Sequence, residues 1–390
     1  MITAGQDLPV IIAHRGNLNG PDKSRENTLD FIDEAIAAGF EVEVDVWLVG
    51  DRLHLGHDGP ELAISPSDLE RRASHLWCHA KNVQALSYLL KRSASFRSFS
   101  HDTDDYVITS DQRIWAFPGK ELIPGSIAVM PERVPEQRGI WECHAICTDY
   151  AALYAIYKEM RARNRRDLMA ADAVLAVDPA VMPGITDARR CVAVYTMYDD
   201  FTPSPNWGEL HKALAMQFSG NNRYDRSDTA SLVHWTIIQV LGFDQVAEHS
   251  VFTSRRESYL QILREELASL LPLEIAYRGV EPVPSGLVML GYPSKDVNKW
   301  RRRAESRFQA AGLPYRKYQN DIVHSTVLRL HTAVKPSELV EMSDDWKDVY
   351  FGTLTVTKFN VGFSSWRMQP GECQVIGTVP AEVKQRAQTH

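Results

Sequence analysis

The sequence predicts an α/β protein of two domains, and three observations support this prediction. A strand, a helix and a second strand follow one another near the start of the chain, which is typical of a parallel sheet. At 390 residues the chain is long enough to bury two separate cores. A short His-x-Thr pattern with apolar flanks occurs twice in the C-terminal half, which indicates two related lobes there.

The sequence predicts the bounds of each element in the first strand–helix–strand unit. Residues 8–13 and 41–49 are rich in β-branched residues, and each segment ends where polar residues begin. The helix between them is predicted to begin near Thr28, which can cap it, and to stop at Gly39. Because chemistry gathers at the carboxyl ends of parallel strands, His14 at the end of the first strand is a candidate site residue.

The second strand carries a row of carboxylates. Its alternation puts Glu41, Glu43 and Asp45 on one face. If that face is buried, unpaired carboxylates repel one another and cost several kcal/mol, so we expect a compensating cation. A hard divalent ion suits oxygen ligands. A solvated strand face is the alternative.

The order and spacing of four motifs are informative. They are HRG within IIAHRG (11–16), ENT (26–28), ExD within EVEVDVW (41–47) and HD within LHLGHDG (53–59). Together they resemble the glycerophosphodiester phosphodiesterase family, which is built on a TIM barrel. The resemblance runs from about residue 9 to 150. It implies that His14 and His57 form an acid/base pair, that Arg15 contacts phosphate, and that Glu26 supports the site.

The same resemblance implies a metal site. Glu43 and Asp45 match the family's ligands for a divalent ion such as Mg²⁺, Ca²⁺ or Mn²⁺. Where the family has a Glu-x-Lys pair, this chain has His79 and Lys81, which become a third metal ligand and a second phosphate contact. Imidazole suits Mn²⁺ or Zn²⁺ better than Ca²⁺ or Mg²⁺, so either the metal differs or it is held more loosely. A plain buried histidine is the alternative.

The implied barrel is short. A usual TIM barrel needs about 250 residues, whereas the resemblance ends near residue 150. Helices are predicted at 28–38, 66–73, 82–92 and 150–166, with short strands and turns over 95–148. We therefore expect an abbreviated TIM-like (β/α) barrel over 1–170, a linker over 171–189, where prolines interrupt regular structure, and a second domain over 190–390.

The repeated pattern lies in LVHWTII (232–238) and IVHSTVL (322–328). Strand alternation places His234 beside Thr236 and His324 beside Thr326. Two such strands brought together would aim two imidazoles and two hydroxyls into one cleft, which makes a phosphodiester site that needs no metal. The same parity puts Arg329 on the face opposite His324, so we do not predict Arg329 to belong to the site.

With these flanks, residues from about 190 to 380 resemble the two-histidine (2H) phosphoesterase superfamily, which includes RNA 2′,3′-cyclic phosphodiesterases. The resemblance implies a bilobal α+β domain without a metal cofactor. One histidine would take a proton from water and the other would give one to the leaving oxygen, while the threonines hold phosphoryl oxygens; each transfer contributes about 10²–10⁴ in rate. The supporting elements are predicted helices at 254–270 and 296–311 and strands at 286–293, 350–363 and 373–379.

Composition bounds the remaining possibilities. The net charge of −7 does not steer the chain towards nucleic acid or anionic membranes. Five scattered cysteines argue against a disulfide framework. No leader or membrane-spanning run is evident, so we expect no membrane partner and a cytoplasmic location. A basic helix can still contact RNA; it carries Lys299, Arg301, Arg302, Arg303 and Arg307.

The sequence therefore predicts a two-domain phosphodiesterase that acts on a small-molecule or RNA-end diester. Two alternatives stay open. One domain, more readily the barrel, can be a non-catalytic module that binds a phosphate ligand, or the barrel can be a lyase that forms a cyclic phosphate. The substrate headgroup and the oligomeric state are not predicted.

Overall fold

The computed structural model describes residues 8–178, 187–197, 200–219, 233–317, 321–365 and 372–380. The chain divides into two compact units, Met1–Ala162 and Arg163–His390. Each unit mixes α-helices and β-strands, as predicted for an α/β chain. The domain bounds at 170 and 190 stay a prediction.

Apolar and β-branched segments form the strands of the first unit. They are β1 (Val10–His14), β2 (Glu41–Val49), β3 (Arg52–Leu55), β4 (Leu62–Ile64), β5 (Leu76–Ala80), β6 (Arg97–Phe99), β7 (Tyr106–Ile108), β8 (Ile114–Ala116), β9 (Ser126–Val129) and β10 (Ala145–Thr148). The strands after residue 95 are short, as predicted. The central strands β1, β5 and β10 are almost wholly buried, so both of their faces are covered.

Seven of these strands run parallel in the order β6-β5-β2-β1-β10-β9-β8. The antiparallel strands β3 and β4 extend the sheet from β2, and β7 pairs with β8. The sheet curls into a half-barrel, but within the described residues no strand pairing closes it into a full barrel. Ser110, in the turn between β7 and β8, bridges part of the gap: its N–H donates to the Ser98 carbonyl of β6 at 2.7 Å.

The helices of the first unit lie close to their predicted positions. They are α1 (Leu29–Ala37), α2 (Pro66–Glu70), α3 (Val83–Leu90) and α4 (Ala151–Leu168), with short 3₁₀ turns at Ala73–His75 and Pro131–Arg133. The division between the two units falls within α4. Thr28 precedes α1 as expected, but its hydroxyl donates to the Arg25 carbonyl at 2.7 Å and makes no capping bond to the helix.

The second unit contains strands β11–β19 and helices α5–α9. The strands are β11 (Cys191–Thr196), β12 (Phe201–Pro203), β13 (Trp235–Leu241), β14 (Leu273–Val283), β15 (Gly286–Pro293), β16 (His324–Arg329), β17 (Tyr350–Val356), β18 (Lys358–Ser364) and β19 (Gln374–Pro380). The helices are α5 (Pro205–Gln217), α6 (His249–Ser254), α7 (Arg256–Leu267), α8 (Val297–Ala310) and α9 (Pro336–Trp346).

These strands form two antiparallel sheets, ordered β13-β11-β18-β19 and β12-β17-β14-β15-β16. Buried residues from both sheets, such as Val194 and Leu273, belong to one hydrophobic core. Each His-x-Thr segment lies at an edge: β13 borders the first sheet and β16 borders the second. His324 therefore begins an edge strand, and His234 immediately precedes one.

Candidate functional site

Strand register brings the predicted metal ligands of the first unit together. The β1–β2 register pairs His14 with Glu43, and the β2–β5 register pairs Asp45 with His79. Because these strands are parallel, all four side chains belong to one end of the sheet. Glu43, Asp45 and His79 are buried, and a ligand atom from each lies within 4.8 Å of the other two.

Asp45 is surrounded by positive groups. Its carboxylate lies 2.9 Å from Arg15 Nε, 3.0 Å from His79 Nδ1 and 3.5 Å from Lys81 Nζ. The Asn27 amide also donates to it at 3.0 Å. Burial alone would raise the pKa of Asp45, but the bond from His79 and the charges of Arg15 and Lys81 outweigh that effect and hold the pKa well below its usual range.

The positive groups around Glu43 are more distant than those around Asp45. His79 Nδ1 and His14 Nε2 approach the Glu43 carboxylate only to 3.7 and 3.8 Å, and its buried Oε2 has no hydrogen-bond partner among the described residues. Burial, followed by the charge of Asp45, raises the pKa of Glu43. A divalent cation would relieve this repulsion and use the unsatisfied oxygen. The cluster can therefore hold a metal ion through Glu43, Asp45 and His79.

Two residues adopt a left-handed backbone beside this cluster. Arg15 has φ 53° and Asn27 has φ 60°. Arginine rarely adopts this conformation, which costs about 1–3 kcal/mol. The Arg15 N–H donates to the Glu43 carbonyl at 2.9 Å, and the Asn27 side chain accepts from the Asp45 N–H at 2.9 Å. The left-handed backbone at these two positions accompanies the contacts of the Arg15 guanidinium and the Asn27 amide with Asp45.

His14 is fixed by a residue near the far end of the first unit. Its Nδ1 lies 2.6 Å from an Asp149 oxygen, because β1 pairs with β10 and Asp149 follows β10 directly. The Asn17 amide donates to both Asp149 and Glu26 at 3.0 Å, and Glu26 pairs with Arg15 at 3.2 Å. Burial opposes the charged form of His14, but the bond to Asp149 and the charge of Glu43 raise its pKa overall.

One cavity of about 580 Å³ joins these groups. Its lining includes the predicted residues His14, Arg15, Glu26, Glu43, His57, His79 and Lys81, while Asp45 is fully buried. His57 lies on the exposed side, where its Nδ1 is 2.6 Å from Asp58. The sequence did not predict roles for Asp149 or Asn17. Asp149 follows a parallel strand at its carboxyl end, and this is the same feature that made His14 a candidate site residue.

His101 is a further imidazole that the sequence analysis did not assign to the site. It lines the cavity and stacks on His79, with ring centroids 4.5 Å apart and planes 8° apart. Phe99 also stacks on His79, at 5.0 Å, so the His79 ring contacts two other rings. Burial, then the charges of His79 and Lys81, lower the pKa of His101 and favour its neutral form.

In the second unit the two repeated segments touch. The His234 N–H donates to the buried Ser325 hydroxyl at 3.3 Å, which places the start of β13 beside β16. Thr326 is buried and Thr236 is partly buried. Burial, followed by the charges of Arg329, His234 and Arg301, lowers the pKa of His324 to about 3. Residue 232, where the first predicted strand begins, lies outside the described residues.

The prediction that Arg329 faces away from the site is wrong. The β15–β16 register shifts between Leu287 and Val288, which pair with Leu328 and Thr326 respectively. This bulge leaves Val327 unpaired and reverses the parity of the residues that follow. Arg329 consequently lies 3.4 Å from the Thr326 hydroxyl and donates to Ser285 at 3.1 Å. The site therefore has a cation beside the second His-x-Thr pair.

Part of the basic run on α8 is engaged by neighbouring groups, whereas Lys299 and Arg302 are exposed. Arg301 is buried, and its guanidinium donates to the Ile237 carbonyl of β13 at 2.7 Å. Arg303 and Arg307 pair with Glu266 at 2.8 and 3.1 Å. RNA contact through this helix stays a prediction.

No family model matches this chain, and comparison with curated proteins finds no match. Within the part of the chain that the structure describes, no helix is both long and apolar enough to cross a membrane.

Proposed function

We propose that this chain is a phosphodiesterase with two sites. The first unit would be an abbreviated TIM-like barrel that hydrolyses a phosphodiester with a divalent metal ion. The second would be a bilobal two-histidine domain that opens a cyclic phosphodiester, such as a 2′,3′-cyclic nucleotide or RNA end, without metal. The observation that carries the proposal is the buried Glu43, Asp45 and His79 cluster, which adjoins a cavity lined by histidine, arginine and lysine side chains.

In the first site, Arg15 and Lys81 provide positive charge for the phosphoryl oxygens. A metal ion bound by Glu43, Asp45 and His79 would supply further stabilisation of negative charge. His14 and His57 line the same cavity, so one can accept the proton of the attacking water while the other protonates the leaving alcohol oxygen as its bond to phosphorus breaks.

In the second site the two imidazoles would perform the same exchange. The lowered pKa keeps His324 neutral at physiological pH, so His324 would be the proton acceptor, although a weaker base than a free imidazole, and His234 would be the donor. Thr236, Thr326 and Arg329 would bind the phosphoryl oxygens. Water adds to phosphorus, the ester bond to one ring oxygen breaks, and that oxygen receives the proton.

The test uses the full chain and two substrates, a glycerophosphodiester and a 2′,3′-cyclic nucleotide, each with and without chelator. Glu43→Gln or chelation should abolish only the first activity, and His324→Ala should abolish only the second. His75→Gln, which changes an exposed histidine outside both sites, is the matched control. Two activities that both survive chelation and Glu43→Gln would contradict the assignment of the metal site.

One observation favours a second candidate for the first unit, a module that binds phosphate without catalysis. Arg15 and Lys81 already pair with Asp45, so the charge of this carboxylate is partly compensated without a metal ion. Binding of a phosphodiester that proceeds without turnover, with or without added metal, would support this candidate. Release of a cyclic phosphate instead of an open monoester would identify a lyase.

A further inference from the structure

One wall of the first-unit cavity is built from rings. Phe99, His101, Trp115 and Phe117 line it, and charged residues such as Glu43, Lys81 and Asp102 line the same cavity. Phe99 and Trp115 are almost fully buried, but 38% of Phe117 is exposed. Small-molecule sites are lined mainly by hydrophobic and aromatic side chains with a few polar groups, so a partly exposed ring beside these charged groups is suited to contact a ligand.

The rings behind Phe117 form a fixed platform. Phe99, His79 and His101 lie nearly parallel, with planes within 8° of one another and centroids 4.5 to 6.2 Å apart. Trp115 stacks on Phe99 at 4.2 Å, and Phe117 meets His101 nearly at right angles, with centroids 5.4 Å apart. Mutual stacking restricts ring rotation, so this surface is ordered before a ligand arrives.

His101 adds a polar point to the platform. Its Nδ1 is buried and has no hydrogen-bond partner in the described part of the chain. A metal ion lies close to the plane of each imidazole that binds it, and two nearly parallel stacked rings share no such point. His101 is therefore poorly placed to join His79 as a ligand of one ion, and its ring belongs to the platform.

We propose that this wall binds the alcohol portion of the phosphodiester, and that this portion carries a planar aromatic ring, as a nucleoside does. The inference rests on the proposed function only for the position of the phosphate, at the metal end of the cavity. A volume of about 580 Å³ lies within the usual range for small-molecule sites and leaves room beyond the phosphate. A glycerol group would place hydroxyls against Phe117 and leave its ring without a stacking partner.

Binding, measured without turnover, tests the inference. The full chain carries His324→Ala, which disables the second site, and is treated with chelator. It is then titrated calorimetrically with three diesters of equal charge: a nucleoside methyl phosphodiester, a glycerol methyl phosphodiester and an alkyl methyl phosphodiester. The nucleoside ligand should bind between about fivefold and a hundredfold more tightly than the glycerol ligand, the range that stacking on an aromatic side chain provides.

Phe117→Leu should remove most of that preference while changing glycerol-diester affinity less than twofold, and Phe117→Tyr, which keeps a ring, should preserve it. Tyr106→Leu is the control, because Tyr106 is an exposed ring on β7 that does not line the cavity. The inference would be overturned by equal affinities for the nucleoside and glycerol ligands, or by tighter binding of the alkyl ligand than of the nucleoside ligand. It would also be overturned if Phe117→Leu lowered the affinities for the nucleoside and glycerol ligands equally. If the nucleoside ligand binds selectively but is not hydrolysed in a separate assay with added Mn²⁺, the proposed catalysis is contradicted and the ring preference stands.

Discussion

His211 on α5 should make the second unit sensitive to mild acid. Its side chain is 9% exposed, and neither ring nitrogen has a hydrogen-bond partner among the described residues. The Trp207 ring packs against it edge to face, with centroids 4.3 Å apart. Burial in this apolar setting lowers the pKa of His211 from 6.5 to about 4.

A lowered pKa means that the unfolded chain binds the proton more readily than the folded one. The stability contributed by His211 is therefore present above about pH 6.5 and is lost as the pH falls towards 4. With these two pKa values, preferential protonation of the unfolded chain lowers the free energy of unfolding by about 0.2 kcal/mol at pH 7 and by about 2 kcal/mol at pH 5.

The measurement is urea unfolding of wild type and His211→Leu at pH 7 and pH 5, following the transition of the second unit. Between these pH values the free energy of unfolding of wild type should fall about 2 kcal/mol more than that of the variant. At pH 7 the variant should be at least as stable, because leucine removes two unsatisfied nitrogens from the core. His75→Leu, at an exposed position, should follow wild type. Equal pH dependence in wild type and His211→Leu would refute the reasoning.

Three further outcomes concern the sites. Glu43→Gln should weaken Mn²⁺ binding at least tenfold by calorimetry, whereas Glu41→Gln on the same strand, whose carboxylate already pairs with Arg97 at 2.8 Å, should not; equal losses would argue against the metal cluster. Asp149→Asn should lower kcat of the first site by about 10²–10⁴ without changing the metal affinity, and an unchanged kcat would show that His14 needs no orienting partner. Arg329→Met should raise KM for the cyclic substrate by about tenfold, the loss of one charge-assisted hydrogen bond, and an unaltered KM would remove Arg329 from the site.

Local sequence patterns predicted the regular elements well. Alternation and β-branching identify β2, and the strand predicted at 286–293 agrees with β15 at Gly286–Pro293. The helix predicted at 296–311 agrees with α8 at Val297–Ala310. These segments are decided by short-range periodicity and by their own end residues, which a single sequence displays directly. The placement of Glu43 and Asp45 on one buried face follows from the same alternation.

Contacts between distant segments were harder to predict. Asp149 reaches His14 across 135 residues because β1 pairs with β10, and no local pattern specifies which strands become neighbours. The left-handed conformation of Arg15 was equally hidden, since it is imposed by the contacts of the turn and not by a glycine. Sequence reasoning therefore identified the candidate reactive groups and the supporting Glu26, but it overlooked Asp149 and Asn17, which orient them.

Arg329 shows how a correct strand assignment can still give a wrong face. Alternation holds only while every residue of a strand is paired, and the extra residue at Val327 shifts the count by one. The error is physically informative, because a bulge costs ladder hydrogen bonds and persists only where the redirected side chain gains something. Here the redirected guanidinium lies beside Thr326 and acts electrostatically on His324, so the same irregularity that defeats the parity rule adds a positive charge to the two-histidine site.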